Sequence, residues 1–484
     1  MMEKTFRSEI FLGLVVPVGI DVDRITQMVI DYLSKKFQYK TNTIRLSGLI
    51  HNINGVKIKI DNSSEYLRID TSMRAGNEAR EISNQKDILA KHSIIEVQNI
   101  RKSPQPKQGN VYIFRSIKNP DEAILYRQVY GKGFFLLGFA SAWKKREDYL
   151  IKKQGMTKSQ AEELLRRDEV ELNEYGQDVR DVFYTSDVFF DIDNEDFEKH
   201  LKRFFDLIFG HPHLTPTKDE FAMFLAFSSS YRSADLSRQV GAVISSECGE
   251  IIAMGHNDVP KKGGGLYCCD DENDMRDFVK GYDSNERRKN RIANKIEQGL
   301  RELIKNKISI EEVRKVIKSS GLFDITEYGR AVHAEMEALL ACSRLGVSPK
   351  GGTIYSTTFP CHNCVKHIVA SGIIKAVFIE PYPKSKALEL HEDSVKMYRQ
   401  FEKNSDKVIL QPFVGIGPRR FIDLFSLKLS NGVKIEREQK GKIVKWPEKD
   451  YFSRFPLLGL SYLDKEKSIG AKLNEGVKNG KSKN

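Results

Sequence analysis

Long apolar runs are missing from this chain of 484 residues. The longest candidates are interrupted by charge, which excludes a bilayer-spanning helix, and no secretory leader opens the sequence. A cytoplasmic protein with no membrane partner is therefore expected. Cysteine is scarce too: six in 484 residues are too few for a disulfide framework, so the thiols are more useful read as ligands or packing groups. There is no internal repeat and no low-complexity core. A Gly-Lys-Ser/Thr phosphate loop is also absent. What remains is 40% hydrophobic and 30% charged residues, the balance of a soluble globular protein too long for a single core, so two or three domains are expected. The net charge of +12 suits an anionic partner, nucleotide phosphate or nucleic acid, without choosing between them.

Against these absences one constellation stands out. Val332-His333-Ala334-Glu335 is followed by Pro360-Cys361-His362-Asn363-Cys364. A catalytic zinc takes three protein ligands and keeps one position for water, and one imidazole with two thiolates is an accepted set. His333, Cys361 and Cys364 would fill it. Two thiolates cancel the formal charge of the ion, so deprotonating its water needs a neighbouring base, and Glu335 is placed to serve. Residues two apart on a regular helix diverge; His333 and Glu335 can share a site only at a helix start. Cys361 and Cys364 lie one helical turn apart, with Pro360 suited to the entry. His-x-Glu with Pro-Cys-x-x-Cys is the zinc-deaminase signature, in which the glutamate carries protons and does not bind the metal.

Along the chain, Glu9 to Val18 reads as a buried strand, and Gly19-Ile20-Asp21 turns into an amphipathic helix with Val22, Ile25, Val29, Tyr32 and Phe37 on one side. Gly13 and Gly19 resemble the glycines of a phosphate loop, but Ile20 and Asp21 replace its lysine and hydroxyl, which argues against phosphoryl transfer. Apolar runs at 111–115 and 133–140 alternate with helical patterns, including charged helices over 144–168. His211-Pro212-His213-Leu214-Thr215-Pro216 reads as a linker. Beyond it a helix over 218–232, a hairpin of strands 240–245 and 251–255, and a polar insertion over 260–330 precede the His333 helix. The expected division is residues 1–210 as a nucleotide-binding α/β domain with a P-loop-like parallel sheet and a degenerate phosphate loop, residues 211–464 as an α/β/α sandwich with an insertion over 260–330, and a basic disordered tail over 465–484.

The stretches Arg232-Ser233-Ala234-Asp235, Val240-Gly241-Ala242-Val243-Ile244, Gly255-His256-Asn257, Val332 to Met336 and Pro360 to Cys364 resemble the deoxycytidylate deaminase family. The chain short of its tail resembles the bacterial anti-phage dCTP/dCMP deaminases, which fuse a P-loop kinase-like domain to a cytidine-deaminase-like domain. The resemblance implies zinc on His333, Cys361 and Cys364. It implies hydrolytic attack at C4 of cytosine with Glu335 moving protons to N3 and to the departing amine, and a sugar-hydroxyl contact from Asn257. The backbone N–H of Ala334 is a candidate for the base carbonyl. Arg232, Arg238 and Lys384 are candidates for phosphate or are plain surface charges. Implied partners are free deoxycytidine nucleotides, further copies of the chain, and an inhibitory regulator that includes nucleic acid among its candidates.

Three readings compete, one of them a regulatory or scaffold protein whose N-terminal domain senses a nucleotide and whose deaminase site is its effector; the other two differ in substrate. One is an enzyme on free nucleotides, draining dCTP during phage replication. The other is an RNA- or DNA-editing deaminase that uses the basic insertion and tail as a strand platform; such platforms interleave cations with aromatics, and residues 287–318 contain no aromatic. Adjacent Cys268 and Cys269 converge poorly on one ion, Cys248 and Cys342 read as incidental or packing residues, and His362 and His367 flank the thiolates.

Overall fold

The computed structural model describes residues 7–169, 171, 175–304, 310–320, 322, 325, 327–380, 385–397, 405–428, 434–447, 451, 453–455 and 459–481. Two compact units result, Met1–Pro216 with Val414–Asn484, and Thr217–Phe413.

In the first unit, apolar strands alternate with helices and pair in parallel. The strands are β1 (Ile10–Val15), β2 (Lys40–Arg45), β3 (Asn110–Arg115), β4 (Phe134–Ala140) and β5 (Val188–Asp191), in the order β2-β3-β1-β4-β5. A sheet covered on both faces requires strands that are apolar throughout, and every residue of β1 is buried. Ile10, Leu12 and Leu14 point into the core formed with helices Val22–Phe37 and Phe197–Ile208; Phe11 and Val15 point into the core on the other face. Gly13 is part of this strand. A Cβ there would lie 2.7 to 2.9 Å from Ile117, Phe134 and Leu136, so its small size serves sheet packing and not a phosphate loop.

The boundary expected at 464 falls at Phe413 instead. Residues 414 onward return to the first unit: Gly415–Ile416 pairs antiparallel with β5, and buried Arg420 donates to the Lys132 carbonyl at 2.7 Å. The tail expected to be disordered from 465 forms helix Gly459–Lys481. Its lysine, glycine and asparagine content conceals a buried anchor. Arg101, 1% exposed, donates to Glu9 at 2.9 Å and to Glu466 at 2.6 Å, and Tyr462 donates to Glu9 at 2.7 Å.

The second unit is a sandwich built on β6 (Gly241–Ser245), β7 (Ile251–His256), β8 (Thr353–Thr358), β9 (Lys375–Glu380), β10 (Val395–Met397) and β11 (Val408–Pro412), ordered β10-β11-β9-β8-β6-β7. β6 runs antiparallel to both neighbours and the other pairs are parallel. Helix Lys218–Ser230 starts on a reciprocal cap between Thr217 and Glu220. It crosses β6 so closely that a Cβ on Gly241 would stand 1.9 Å from the Ala226 carbonyl. Gly255 pairs with Ala242, the residue after Gly241, and faces the opposite side, where helix Ala334–Leu345 approaches just as tightly. Adjacent strand residues point to opposite faces, so the two helices cover the sheet from both sides. Among the described residues, no helix is long and apolar enough to cross a membrane.

Candidate metal centre and nucleotide pocket

The functional side chains gather where two helices begin. His333 is the N-cap of helix Ala334–Leu345 and Cys361 the N-cap of helix His362–Ala370, both in extended backbone conformation. The turn at each cap frees the side chain from the helical radiating pattern, which is how His333 and Glu335 come to share one site. The Sγ atoms of Cys361 and Cys364 each lie 3.3 Å from His333 Nδ1. All three donor atoms fall within 4.8 Å of one another, the one such group among the described residues. An ion held at about 2.0–2.3 Å from each nitrogen or sulfur needs donors this close, and the imidazole and two thiols are the borderline-soft set zinc takes. They fit the metal. Cys268 and Cys269 gather no third ligand among the described residues.

Glu335 is 4% exposed. Its Oε1 accepts from Ser356 Oγ at 3.3 Å, and its Oε2 from Cys364 Sγ at 3.4 Å. Burial, then the neighbouring Cys361 charge, pushes its carboxyl above the usual range while His333 opposes the shift. Cys361 is held down to about 4, chiefly by the hydrogen bond from Cys364 and then by His333, whereas Cys364 is pushed well up by Cys361 and burial. His333 rises to about 9 through its bond to Cys361, which outweighs burial. Metal binding needs both thiols deprotonated and the imidazole neutral, so it would release protons from this site.

Above this floor opens a cavity of about 200 Å³ lined by Asp235, Arg238, Asn257, Ala334, Glu335 and Phe359 among others. Ala334 begins its helix, so its N–H has no intrahelical acceptor. The Asn257 side chain ties the rim together: Oδ1 accepts from the Val240 N–H at 2.7 Å and Nδ2 donates to the Arg238 carbonyl at 2.9 Å. Arg232 is exposed and absent from the lining; its charge acts on His256. Lys384 lies outside the described residues. His362 approaches Glu327 at 3.5 Å, and His367 bonds the Asn363 carbonyl at 2.7 Å.

Several lining residues escape sequence reasoning. Asp277, Asp283, Asn285 and Arg330 come from the polar insertion, where nothing in the spacing singles them out. Arg330 is held by Asp277 at 2.6 Å and by the Met275 carbonyl at 3.0 Å. Phe359 packs edge-on against Phe378, with ring centroids 4.9 Å apart. Its place directly before the Pro-Cys-x-x-Cys run was the available signal.

A buried carboxylate beside a His-Cys-Cys donor set defines the class: a zinc-dependent hydrolase. Residues 216–380 match the family model described as the cytidine and deoxycytidylate deaminase zinc-binding region. The deoxycytidylate deaminase of Enterobacteria phage T4 is 32% identical over 162 residues, 34% of this chain and 77% of that protein. ComE operon protein 2 of Bacillus subtilis (strain 168) is 40% identical over 74 residues, 15% of this chain and 39% of that one. Among solved structures, the dCMP deaminase of cyanophage S-TIM5 in apo form aligns at 18% identity and a TM-score of 0.23, over 41% of this chain and 100% of its own. The chain belongs to the cytidine and deoxycytidylate deaminase family.

Proposed function

We propose that the protein hydrolyses free deoxycytidine nucleotides, dCTP and dCMP, to their deoxyuridine counterparts and ammonia, and that this drains dCTP as a defence against phage. The observation that carries the reading is the buried Glu335 carboxylate packed against the His333-Cys361-Cys364 donor set at the floor of a cavity of about 200 Å³. Zinc, when bound, supplies a polarised water as nucleophile. Glu335 would serve as the proton carrier between the attacking water, N3 of the cytosine ring and the departing amine. The Ala334 N–H receives the base carbonyl, Asn257 orients the sugar, and Phe359 walls the ring. Arg238 and Arg330 are the lining guanidiniums that would meet phosphate.

Exposed Leu340, Leu345 and Val347 on and after the Ala334 helix support assembly into a homo-oligomer. An enzyme that destroys a DNA precursor also calls for an inhibitory regulator, with nucleic acid among the candidates. The reading is tested by incubating zinc-loaded protein with dCTP, dCMP, CTP and a cytosine-containing single strand, following ammonia and uracil products. Turnover of the free deoxynucleotides, lost by about 100-fold or more in Glu335→Gln with zinc retained, is expected. Turnover of the strand alone would replace the reading by nucleic-acid editing, and loss of zinc from Glu335→Gln would refute the proton-carrier role.

A further inference from the structure

The polar insertion brings one guanidinium to the lining of the catalytic cavity, that of Arg330. A long cationic side chain at the end of an insertion has many rotamers to lose before it can meet a phosphate. Here the protein removes them in advance. Nη1 of Arg330 donates to the Met275 carbonyl at 3.0 Å and to Asp277 Oδ1 at 2.6 Å, which leaves Nε and Nη2 without a protein partner among the described residues. Two adjacent N–H donors are what a phosphate takes in bidentate fashion. The two acceptors that hold Arg330 flank a single residue, Arg276.

Arginine is rarely buried unless it is paired, and the Arg276 side chain is only 8% exposed. Asp274 takes one edge of it, accepting from Nε at 2.9 Å and from Nη2 at 2.7 Å. The Arg276 N–H donates to the other oxygen of the same carboxylate at 2.9 Å. The ring of Phe278 covers the guanidinium, its centroid 5.0 Å away. The remaining nitrogen, Nη1, faces Asp258 Oδ2 at 3.7 Å. A buried charge that loses its partner is costly, so the short stretch that carries both acceptors for Arg330 is tied to Asp258.

Asp258 belongs to the framework of the site. It directly follows Asn257 and is 1% exposed. Its backbone exchanges two hydrogen bonds with Val332, at 2.9 Å from the Val332 N–H and 3.3 Å to the Val332 carbonyl. Val332 stands between Arg330 and the zinc ligand His333. The Asp258 carboxylate also accepts from the Ala234 N–H at 3.0 Å and the Val259 N–H at 2.8 Å. Arg330 is therefore pinned twice to one aspartate, by the main chain two residues after it and by the side chain of Arg276.

We propose, on the reading of this cavity as a deoxycytidine nucleotide site, that Asp258 and Arg276 are positioning residues for the phosphate of the substrate. They hold Arg330 so that its unpaired Nε and Nη2 are presented to the nucleotide. Neither touches the reacting atoms.

The test is calorimetric titration of the zinc-loaded full-length protein with dUMP and, by competition, with deoxyuridine, which lacks the phosphate. Wild type is compared with Arg330→Gln, Arg276→Gln, Asp258→Asn and the double variant Arg276→Gln/Arg330→Gln, with zinc content and thermal unfolding reporting that each is folded. Arg330→Gln and Arg276→Gln are each expected to weaken dUMP by about ten-fold or more and to leave deoxyuridine within about two-fold. The double variant is expected to bind dUMP no more weakly than Arg330→Gln alone, because Arg276 acts through Arg330. Asp258→Asn keeps an acceptor for the Ala234 N–H but drops the charge; it is expected to shift dUMP in the same direction, and it carries the test if Arg276→Gln does not fold. Undiminished dUMP affinity in both positioning variants, equal weakening of deoxyuridine, additive losses in the double variant, or a wild type that binds dUMP no tighter than deoxyuridine would each overturn the proposal. Turnover of dCMP by wild type is followed alongside: its absence, with dUMP still bound through Arg330, would sink the deamination reading and leave the positioning roles standing.

Discussion

Replacing Glu466 by Ala tests whether the C-terminal helix is part of the first unit's stability or an ornament on it. Glu466 accepts from Arg101 Nη1 at 2.6 Å and Nη2 at 3.1 Å, and the two side chains are each 1% exposed. Removing one partner of a buried ion pair leaves the other charge desolvated, at a cost of about 3–5 kcal/mol. Arg101 retains two hydrogen bonds to Glu9 at 2.9 Å, which puts the expected loss near the lower end, ~3 kcal/mol. Both tryptophans, Trp143 and Trp446, belong to this unit, so their fluorescence follows its unfolding without interference from the other. With a urea dependence of about 3 kcal/mol per molar, the midpoint falls by roughly 1 M. A midpoint within about 0.2 M of wild type would refute the reasoning, since it would mean Arg101 needs no carboxylate beyond Glu9.

Two further outcomes follow from the second unit. Gly255→Ala places a Cβ 2.3 Å from the Ala334 carbonyl and 2.5 Å from the Ala338 nitrogen; both are backbone atoms, so the helix bearing His333 and Glu335 must move. Zinc content below one per chain and a turnover loss of about 100-fold are expected, and a fully loaded, fully active variant would show that the strand yields instead. His256, 4% exposed, is held neutral at a pKa of about 4 by burial and then by the charges of Arg232 and Arg276. Unfolded, it takes up a proton near pH 6.5, so the stability present above pH 6.5 is lost progressively as the pH falls toward 4, ~2 kcal/mol of it by pH 5. Calorimetry at pH 7 and pH 5 should show this unit losing more stability in wild type than in His256→Gln; equal losses would remove His256 as the cause.

The metal centre is legible in the sequence because its chemistry is local. His333 with Glu335, and Cys361 with Cys364, are close along the chain, and each pair needs only a helix start to converge. The helix and strand rhythm of both sheets is equally legible, from Lys218–Ser230 to β7 and from β1 to the helix after it, because periodicity of apolar residues is a nearest-neighbour property. The glycines at 241 and 255 are visible as motif members, but that each marks a backbone touching a helix is not.

Tertiary structure decided what depends on partners far along the chain. Arg101 and Glu466 are separated by 365 residues, and no local pattern distinguishes that glutamate from the solvated charges around it. The same holds for Gly415–Ile416 closing the edge of β5, and for the insertion residues Asp283 and Arg330 reaching the catalytic cavity. Asp168 reads as one more charge on an amphipathic helix, yet its carboxylate takes the Val18 N–H and Lys118 in the loop after β1. Sequence by itself determined which chemistry this protein carries, because ligand type and spacing are written along the chain. Burial and long-range pairing determined where its domains end and which of its many charges face a ligand, because those are properties of the folded whole.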